Sequence, residues 1–466
     1  MSSKPLILRD EIHGDISLDP VARAVVDHPS FQRLRYIKQL GLAEYVFPCA
    51  THTRFQHSLG AAHLAGRSFQ SLVETWPTWE FDAPAEVEGT RFLVKQTREC
   101  VSLVAADPKS RFFWETVTTL AAMLHDVGHG PWSHTFEFLD LPQNFDDRIA
   151  LLDGPVRAYF DELLGQKQRI YHEEVSLLYI HEILTDIAAQ GLVPDALEYF
   201  LPVAALVNKR VLAGKLRAGV EAELDAQLKR RRIYGGISML RLLAPLISGP
   251  FDVDRADYIQ RDGRNCGVSL GGIEWDRIVR KLMPCLASHK NDRGEPSDVV
   301  LVSHLRTQHV LEDFLFSLFQ MYTQVYLHPK TVAFEEQVRR ELEEKLPRPE
   351  DRPAVTFELH KSLSDESFRL WLEQEFNATG IRKTLFRQSG FRFSVVGLPV
   401  GLGEGQGLDQ KGYARMLPAN RPMMKDSVGV FLFSASAGLV IPWKTASPLA
   451  DTFKTTQHST EIWIKS

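Results

Sequence analysis

The stretch of sequence that decides the fold is Leu124-His125-Asp126-Val127-Gly128-His129-Gly130. It ends an apolar segment over 113–124 whose spacing predicts a helix. A His followed by an Asp at a helix end can offer imidazole and carboxylate to one metal ion, and His129 lies one turn further on. Gly128 and Gly130 then end the helix and allow backbone or substrate to approach closely. A lone His-Asp pair is more often structural than functional, so its context decides.

A second histidine segment supports a metal site. The segment is Thr53-Arg54-Phe55-Gln56-His57-Ser58-Leu59-Gly60. It places His57 near the start of an apolar helix predicted over 55–73, three residues after Arg54.

A third segment, 252–262, supplies carboxylates. Asp254, Tyr258 and Asp262 recur every four residues there, so they share one face of the predicted helix. The neighbouring acidic residues have simpler explanations, because Asp252 fits a helix N-cap and Asp257 with Arg261 fits a helix-surface pair.

Two imidazoles and two carboxylates, from His57, His125, Asp126 and Asp254, form a mixed nitrogen and oxygen site. Such a donor set suits Mn, Fe, Zn or Ni and leaves open positions for water and a phosphate oxygen. A metal ion there would lower the pKa of bound water and polarise the P–O bond under attack.

Composition limits the class of protein. The chain has 466 residues, 44% hydrophobic and 24% charged, which is ordinary for a globular protein. Its net charge of -5 supplies no overall attraction for nucleic acid, and its four cysteines form no CxxC pair. We find neither a signal peptide nor a membrane span, and expect a cytoplasmic protein without a membrane partner.

The pattern along the chain predicts a mainly α fold. Besides the helices above, the spacing predicts helices over 29–39, 172–188, 194–208, 236–247 and a long one over 305–344. The Pro-rich segment 346–353 predicts a boundary between a helical region, 1–345, and a smaller α+β region, 346–466. In that second region the pattern predicts strands near 391–397, 427–434 and 438–443 and a helix near 365–376.

The order His57, His125-Asp126, Asp254 resembles the H…HD…D signature of HD-domain phosphohydrolases. The resemblance is closest to the sterile-alpha-motif and HD-domain dNTP triphosphohydrolases and their prokaryotic relatives, and covers roughly 10–345. Its densest match is Phe31-Gln32-Arg33-Leu34-Arg35-Tyr36-Ile37-Lys38-Gln39-Leu40-Gly41, followed by Tyr45-Val46-Phe47-Pro48. It implies an HD-domain helical core over 1–345, a homo-oligomer (dimer or tetramer), and an oligomerisation or regulatory role for 346–466.

The resemblance also implies a role for each matching residue. One transition metal ion would be held by His57, His125, Asp126 and Asp254. The phosphate site would be lined by His129, His134 and His172, with His134 favoured as general acid for the leaving 5′ oxygen and Glu173 orienting His172. The substrate-binding residues would be Gln39, Leu40, Arg54, Arg255, Tyr258, Asp262 and Tyr326.

Within that last set the implied contacts differ. Arg54 and Arg255 would hold triphosphate oxygens, Arg255 standing where the family usually has Lys. Gln39 and Asp262 would contact the sugar 3′-hydroxyl, and Tyr258 would pack where a 2′-hydroxyl would intrude. The implied reaction is dNTP plus water giving deoxynucleoside and inorganic triphosphate, with Mg²⁺ accompanying the triphosphate.

The match departs from the family in two places. Asp27, Gln32 and Arg35 match a nucleotide effector site, but its completing Lys and Asn are replaced by Leu6 and Arg9. An ordinary charged helix start explains Asp27 and Arg35 equally well.

In the second departure, the family has an Arg two turns and a His one turn before its substrate-facing Tyr, and these positions fall on Leu318 and Tyr322. The Arg to Leu change removes a phosphate-binding fork, so the triphosphate contacts are expected to be weaker or rearranged.

Three functions follow from these patterns. The first is a dNTP triphosphohydrolase. The second is another HD-type phosphohydrolase, phosphodiesterase or nuclease acting on other nucleotides or single-stranded nucleic acid, for which the basic segment 209–232 offers a surface, although a solvated helix explains it more simply. The third is a nucleotide-sensing scaffold that recruits a partner.

Overall fold

The structure, a computed structural model, describes residues 6–79, 86–270, 272–289 and 298–386. Beyond them it describes Trp443 and seven strands that lie between residues 393 and 465. The described chain is mainly α, which confirms the predicted fold class. Its α-helices are Pro20–Asp27, Pro29–Gln32, Arg54–Thr75, Val94–Ala106, Pro108–Leu124, His134–Phe138, Asp146–Ile149, Gly154–Gly165, His172–Ala189, Phe200–Val207, Arg217–Arg231, Gly236–Ile247, Val253–Cys266, Trp275–Val279, Gln308–Met321, Pro329–Lys345, Phe357–Ser362, Asp365–Glu375 and Thr379–Leu385.

Short 3₁₀ turns and one π-helical turn connect these helices. The 3₁₀ turns are Arg33–Tyr36, Gly41–Tyr45, Trp76–Thr78, Ala196–Tyr199, Lys209–Leu212, Leu305–Thr307 and Pro349–Asp351, and the π-helical turn is Tyr322–Tyr326.

The largest sheet has five strands and joins distant parts of the chain. Its order is Leu439–Pro442, Val430–Ser434, Asp298–His304, Leu282–His289, Thr90–Phe92. The pairing of Val430–Ser434 with Asp298–His304 is parallel and the others are antiparallel.

The other sheets are small. A three-stranded sheet has the order Phe393–Gly397, Thr460–Lys465, Tyr413–Arg415, and Leu6–Asp10 pairs with Gly14–Leu18 as an N-terminal hairpin. Two further pairs are Gln143–Asn144 with Val355–Thr356 and Arg421–Pro422 with Gln457–His458.

The main apolar core lies between the helices whose ends carry the predicted metal residues. Helix Arg54–Thr75 packs along Pro108–Leu124 and Val253–Cys266, and each buries an apolar face in one large cluster. This packing brings the first turns of two helices and the last turn of a third to one place. The histidines and carboxylates of the predicted metal site lie at those ends.

A second apolar cluster, which we call the C-terminal cluster, crosses the boundary predicted near 345. It joins Leu42, Trp132 and Phe136 to Phe334 and to Phe368 on helix Asp365–Glu375, among others. The division into 1–345 and 346–466 stays a prediction.

Two predicted helices are wrong in extent. The helix predicted over 29–39 ends at Gln32 and continues only as the 3₁₀ turn Arg33–Tyr36, because Lys38 pairs with Thr53 as an extended bridge. The long helix predicted over 305–344 breaks at His328-Pro329, since proline cannot donate an N–H and disfavours helical backbone at the residue before it.

Within the described part of the chain, no helix is both long enough and apolar enough to span a bilayer.

Candidate metal centre

Three helix ends bring the predicted metal ligands together. His57 lies in the first turn of Arg54–Thr75, where the Thr53 amide donates to Gln56 Oε1 at 2.6 Å and fixes the helix start. His125 follows Pro108–Leu124, and Asp254 lies in the first turn of Val253–Cys266.

The four side chains converge on one point. His57 Nε2 lies 3.1 Å from Asp254 Oδ1, 3.4 Å from His125 Nε2 and 3.5 Å from Asp126 Oδ2. His125 Nε2 lies 3.3 Å from Asp126 Oδ1 and 3.4 Å from Asp254 Oδ1. The sequence therefore predicted a set of residues that the fold gathers, although their role as ligands stays a prediction.

The chemistry of these donors fits a cation. The imidazole of His57 uses Nδ1–H to donate to Asp257 at 2.8 Å, and His125 uses Nδ1–H to donate to the Ala122 carbonyl at 2.7 Å. In neutral rings both Nε2 atoms then carry lone pairs, which face each other and two carboxylates. Such an arrangement is repulsive unless positive charge lies between them.

The pKa values of His57 and His125 are raised by the same excess of negative charge. Burial alone would lower the pKa of His57, but the carboxylates of Asp254 and Asp257 raise it to about 10. Burial likewise opposes the charged form of His125, and Asp126 and Asp254 raise its pKa.

A buried network beneath His57 was missed by sequence reasoning. Asp257 accepts from His57, from His13 Nε2 at 2.7 Å, and from Arg261 through two nitrogens at 2.9 Å each. Arg261 also donates to Asp10 in the N-terminal hairpin at 2.9 and 3.2 Å. The predicted helix-surface pair of Asp257 and Arg261 is wrong, because both side chains are 0% exposed. Asp252 does serve as N-cap, accepting from the Arg255 amide at 2.9 Å.

Beside the metal residues, His129, His134 and His172 form a histidine cluster. The rings of His129 and His172 stack with centroids 3.8 Å apart, and His134 meets the His129 ring edge-on at 4.9 Å. His129 Nε2 lies 3.4 Å from Asp126 Oδ1, which links this cluster to the metal residues.

The carboxylate that contacts this cluster belongs to Glu137, which was not predicted from the sequence. Its carboxylate accepts from His172 Nδ1 at 2.7 Å and lies 3.3 Å from His134 Nδ1, whereas the predicted orienting residue Glu173 lies 3.5 Å from His172 Nδ1. Burial lowers the pKa of His134, while Glu137 and Glu173 raise the pKa of His172 against the effect of burial. The helical spacing of Glu137 from His134 was the available signal.

The two predicted phosphate-binding arginines lie on the cavity wall. Arg54 contacts Asp126 and donates to Ser133 Oγ at 2.8 Å, so it already neutralises a carboxylate of the metal group. Arg255 donates to the Pro250 carbonyl at 3.3 Å and lies 3.9 Å from Asp252.

The predicted sugar end is built around Asp262. Tyr326 donates to Asp262 Oδ2 at 2.7 Å, and His52 Nε2 lies 2.7 Å from Asp262 Oδ1. Tyr258 meets the Tyr326 ring edge-on at 5.8 Å. His52, to which the sequence gave no role, is 4% exposed, and the sequence carried no direct signal for its pairing with Asp262.

The metal residues, the histidine cluster and the Asp262 group border one cavity of about 1030 Å³. Apart from His57, which lies buried behind its wall, every predicted metal, catalytic and substrate-binding residue lines it. Leu318 is 1% exposed in the main core and is not among the lining residues, whereas Tyr322, Arg339 and Arg340 are. Both arginines pair with Glu336, with nitrogen-to-oxygen distances from 2.7 to 2.9 Å.

The predicted effector residues lie apart from that cavity. Gln32 donates to the Val26 carbonyl at 2.7 Å and accepts from Arg35 Nε at 2.7 Å. The Arg35 guanidinium lies 3.6 Å from the centroid of the Phe55 ring, and Asp27 lies 3.7 Å from Arg23. The effector role stays a prediction.

The basic segment 209–232 forms a packed helix. Helix Arg217–Arg231 buries Val220, Leu224 and Leu228 in the main core. Several of its charges pair with carboxylates, among them Lys229 with Asp225 at 2.6 Å. Charge compensation of this kind favours a structural role over nucleic-acid binding.

Comparison with known proteins finds relatives but no matching family profile. The chain is 28% identical over 291 residues to deoxynucleoside triphosphate triphosphohydrolase SAMHD1 of Xenopus laevis, covering 61% of this chain and 38% of that protein. It is 26% identical over 334 residues to an uncharacterized protein of Methanocaldococcus jannaschii, covering 72% of this chain and 48% of that protein. The chain thus spans less than half the length of these two relatives. Among solved structures, a phosphohydrolase of Bacteroides thetaiotaomicron matches with a TM-score of 0.61 at 20% identity, covering 99% of this chain and 100% of the other.

Proposed function

We propose that this chain, a member of the HD-domain dNTPase-like family of HD-superfamily hydrolases, cleaves deoxynucleoside triphosphates into deoxynucleoside and inorganic triphosphate. The observation that carries the proposal is the single cavity in which the metal residues, the histidine cluster and the Asp262 end lie side by side. A nucleotide needs all three, because its phosphate, leaving oxygen and sugar are joined in that order.

The donor set indicates a divalent metal, and its nitrogen and oxygen mixture supports Mn, Fe, Zn or Ni, with Mg²⁺ accompanying the triphosphate. When bound, such an ion supplies an activated water and polarises the phosphate under attack. His57, His125, Asp126 and Asp254 would hold it. Asp257 keeps the proton of His57 on Nδ1, which leaves Nε2 free to coordinate.

The histidine cluster would provide the proton for the leaving 5′ oxygen. His134 and His172 share the Glu137 carboxylate, so a proton given up by one ring can be replaced through the other. Arg54 and Arg255 would contact phosphate oxygens. Arg339 and Arg340 line the same cavity, where both pair with Glu336.

The part of the cavity around Asp262 would contact the sugar. Asp262 is fixed by Tyr326 and His52 and could accept a hydrogen bond from a 3′-hydroxyl, and Gln39 lines the same cavity. Tyr258 would pack against the ring and leave little room for a 2′-hydroxyl. This arrangement supports a deoxynucleotide substrate.

A second candidate is an HD-type phosphohydrolase that acts on another phosphate ester. The buried position of Leu318 favours it, because the family's phosphate-binding fork is missing from the cavity wall. A homo-oligomer, a nucleotide effector at Asp27, Gln32 and Arg35, and a location in the cytoplasm are further proposals from the resemblance.

The experiment is product analysis. Purified protein is incubated with each dNTP and each rNTP in Mn²⁺ or Mg²⁺, and the products are separated by ion-exchange chromatography. We expect inorganic triphosphate from dNTPs, lost in Asp126→Ala and retained in Asp276→Ala, a matched carboxylate whose ion pair with Arg67 is exposed. Orthophosphate or a nucleoside monophosphate would instead indicate the second candidate, and no turnover with a nucleotide-dependent change in oligomer size would indicate a sensing scaffold.

A further inference from the structure

The loop that carries His134 has an unfavourable backbone conformation. Trp132 and Ser133, just before His134, have φ values of +57° and +56°, in the left-handed region that non-glycine residues rarely adopt. Consecutive residues of this kind persist only where the surroundings hold them. Something outside the loop must therefore stabilise it.

The holding group comes from the segment after residue 345. One carboxylate oxygen of Asp365 accepts from the Trp132 amide at 2.8 Å, and the other accepts from the Lys38 amide at 3.0 Å. Asp365 is 7% exposed, and the Trp132 ring packs against Phe368 on the same helix with centroids 5.0 Å apart. The Lys38 and Trp132 amides belong to two segments of the chain that lie far apart in sequence.

The other face of the loop is also closely packed. Gly41 has a φ of +51°, and a Cβ there would lie 2.5 Å from the Trp132 carbonyl oxygen. Only glycine fits that position, so the loop lies between Gly41 and helix Asp365–Glu375.

The loop is connected by hydrogen bonds and by the chain itself to Arg54 and His134, to which we assign roles in the reaction. Ser133 donates to the Lys38 carbonyl at 2.6 Å and accepts from Arg54 Nε at 2.8 Å, and Arg54 contacts Asp126. His134 follows Ser133 directly and begins the helix that carries Glu137. A shift of the loop would therefore displace a phosphate-binding cation and a proton donor together.

We propose that Asp365 is a positioning residue of the active site, whose carboxylate joins the Lys38 and Trp132 amides and so sets the positions of His134 and Arg54. The inference rests on the proposed function, because it gives those two residues their roles. Helix capping does not explain Asp365, since Ser364 is the N-cap and accepts from the Ser367 amide at 3.1 Å.

The test compares Asp365→Ala with Glu366→Ala in the full-length protein. Glu366 lies in the same helical turn and its side chain is 66% exposed. Its partner Arg369 is buried but also pairs with Glu373, so Glu366→Ala controls for effects on the helix. Two quantities are measured: hydrogen exchange of the Lys38 and Trp132 amides, and kcat and KM for a dNTP that the wild-type protein cleaves.

We expect both amides to exchange about tenfold faster or more in Asp365→Ala, and kcat to fall about 10- to 100-fold with KM changed less than about threefold. Glu366→Ala should match the wild type in both. If Asp365→Ala does not fold, Asp365→Asn is used: it keeps one acceptor, so intermediate effects are expected.

Two results would overturn the inference. Exchange at wild-type rates would show that Asp365 does not hold the loop, and faster exchange with unchanged kcat would show that the loop does not position the site. If the wild-type protein releases no triphosphate, the proposed function fails, and the exchange rates still decide whether Asp365 holds the loop.

Discussion

Replacing Asp257 with Asn tests the arrangement beneath the metal residues. The carboxylate of Asp257 accepts four hydrogen bonds: one from His57, one from His13 and two from Arg261. An amide of the same shape accepts with its oxygen but donates with its nitrogen. Because each Asp257 oxygen accepts two of the four bonds, one histidine and one arginine nitrogen then face a donor. Where the amide nitrogen faces His57, that ring must move its proton to Nε2, the atom that points at the metal position.

The expected loss is in metal affinity. Partners of metal-bound histidines contribute about 10- to 100-fold to affinity, which corresponds to about 1.4–2.7 kcal/mol. Folding should survive, because Arg261 keeps two hydrogen bonds to Asp10 at 2.9 and 3.2 Å. We expect a loss of about 1–3 kcal/mol in the free energy of unfolding from the remaining mismatch.

The assay is a Mn²⁺ titration by calorimetry after removal of metal with a chelator, using Asp276→Asn as the matched surface control. Asp257→Asn should weaken Mn²⁺ binding by the stated factor, and the control should bind as the wild type does. An affinity within twofold of the wild type in a folded Asp257→Asn variant would refute the role given to Asp257.

Three further predictions concern Glu137, Tyr258 and Leu318. Burial raises the pKa of the Glu137 carboxyl, but hydrogen bonds from His134 and His172 outweigh it and hold the pKa far below its usual value; Glu137→Gln should therefore lower the free energy of unfolding by about 1.5–3 kcal/mol near pH 7. A carboxyl whose pKa is lowered by folding stabilises the fold fully above its unfolded-state pKa of about 4.3 and progressively less as pH falls from there toward the folded-state value. This difference should therefore shrink below about pH 4.3, and urea titrations that show it undiminished at pH 3 would contradict the assignment. Tyr258→Ala should raise turnover of ribonucleoside triphosphates relative to deoxynucleoside triphosphates, and an unchanged ratio of kcat/KM values would exclude Tyr258 from sugar selection. Leu318→Arg should destabilise the protein by about 3–5 kcal/mol in denaturant titrations, since it places an unpaired charge in the core; improved dNTP binding in a stable variant would show that the core position is wrong.

The metal residues were the part of the site most accessible to sequence reasoning. His57, His125, Asp126 and Asp254 lie at helix ends, and helical spacing together with short local motifs predicts both the helix and the place of the residue on it. The mainly α class followed from the same periodicity. Such local signals can be interpreted without knowing which distant segments of the chain come into contact.

Two residues whose surroundings sequence reasoning missed, Asp257 and His52, depend on distant contacts. Asp257 looks like half of a surface pair until the N-terminal hairpin covers it, and its partner His13 lies 244 residues away in sequence. His52 gains its role from Asp262, 210 residues further on. A single sequence offers no direct signal for such pairings, so burial and partner remain undetermined.

The two helices whose bounds were predicted wrongly differ in whether the sequence contained a signal for the helix end. The break at His328-Pro329 could have been read from the proline alone. The early end near Gln32 could not, because the extended pairing of Lys38 with Thr53 overrides local helix propensity.

Isotope transfer from water tests the central claim most directly. The wild-type protein is incubated with a dNTP in H₂¹⁸O, and the products are analysed by mass spectrometry. Attack of water at the α-phosphorus, between the metal residues and the histidine cluster, predicts one ¹⁸O atom in inorganic triphosphate and none in the deoxynucleoside. Label in the deoxynucleoside, or in orthophosphate released without triphosphate, would contradict the account.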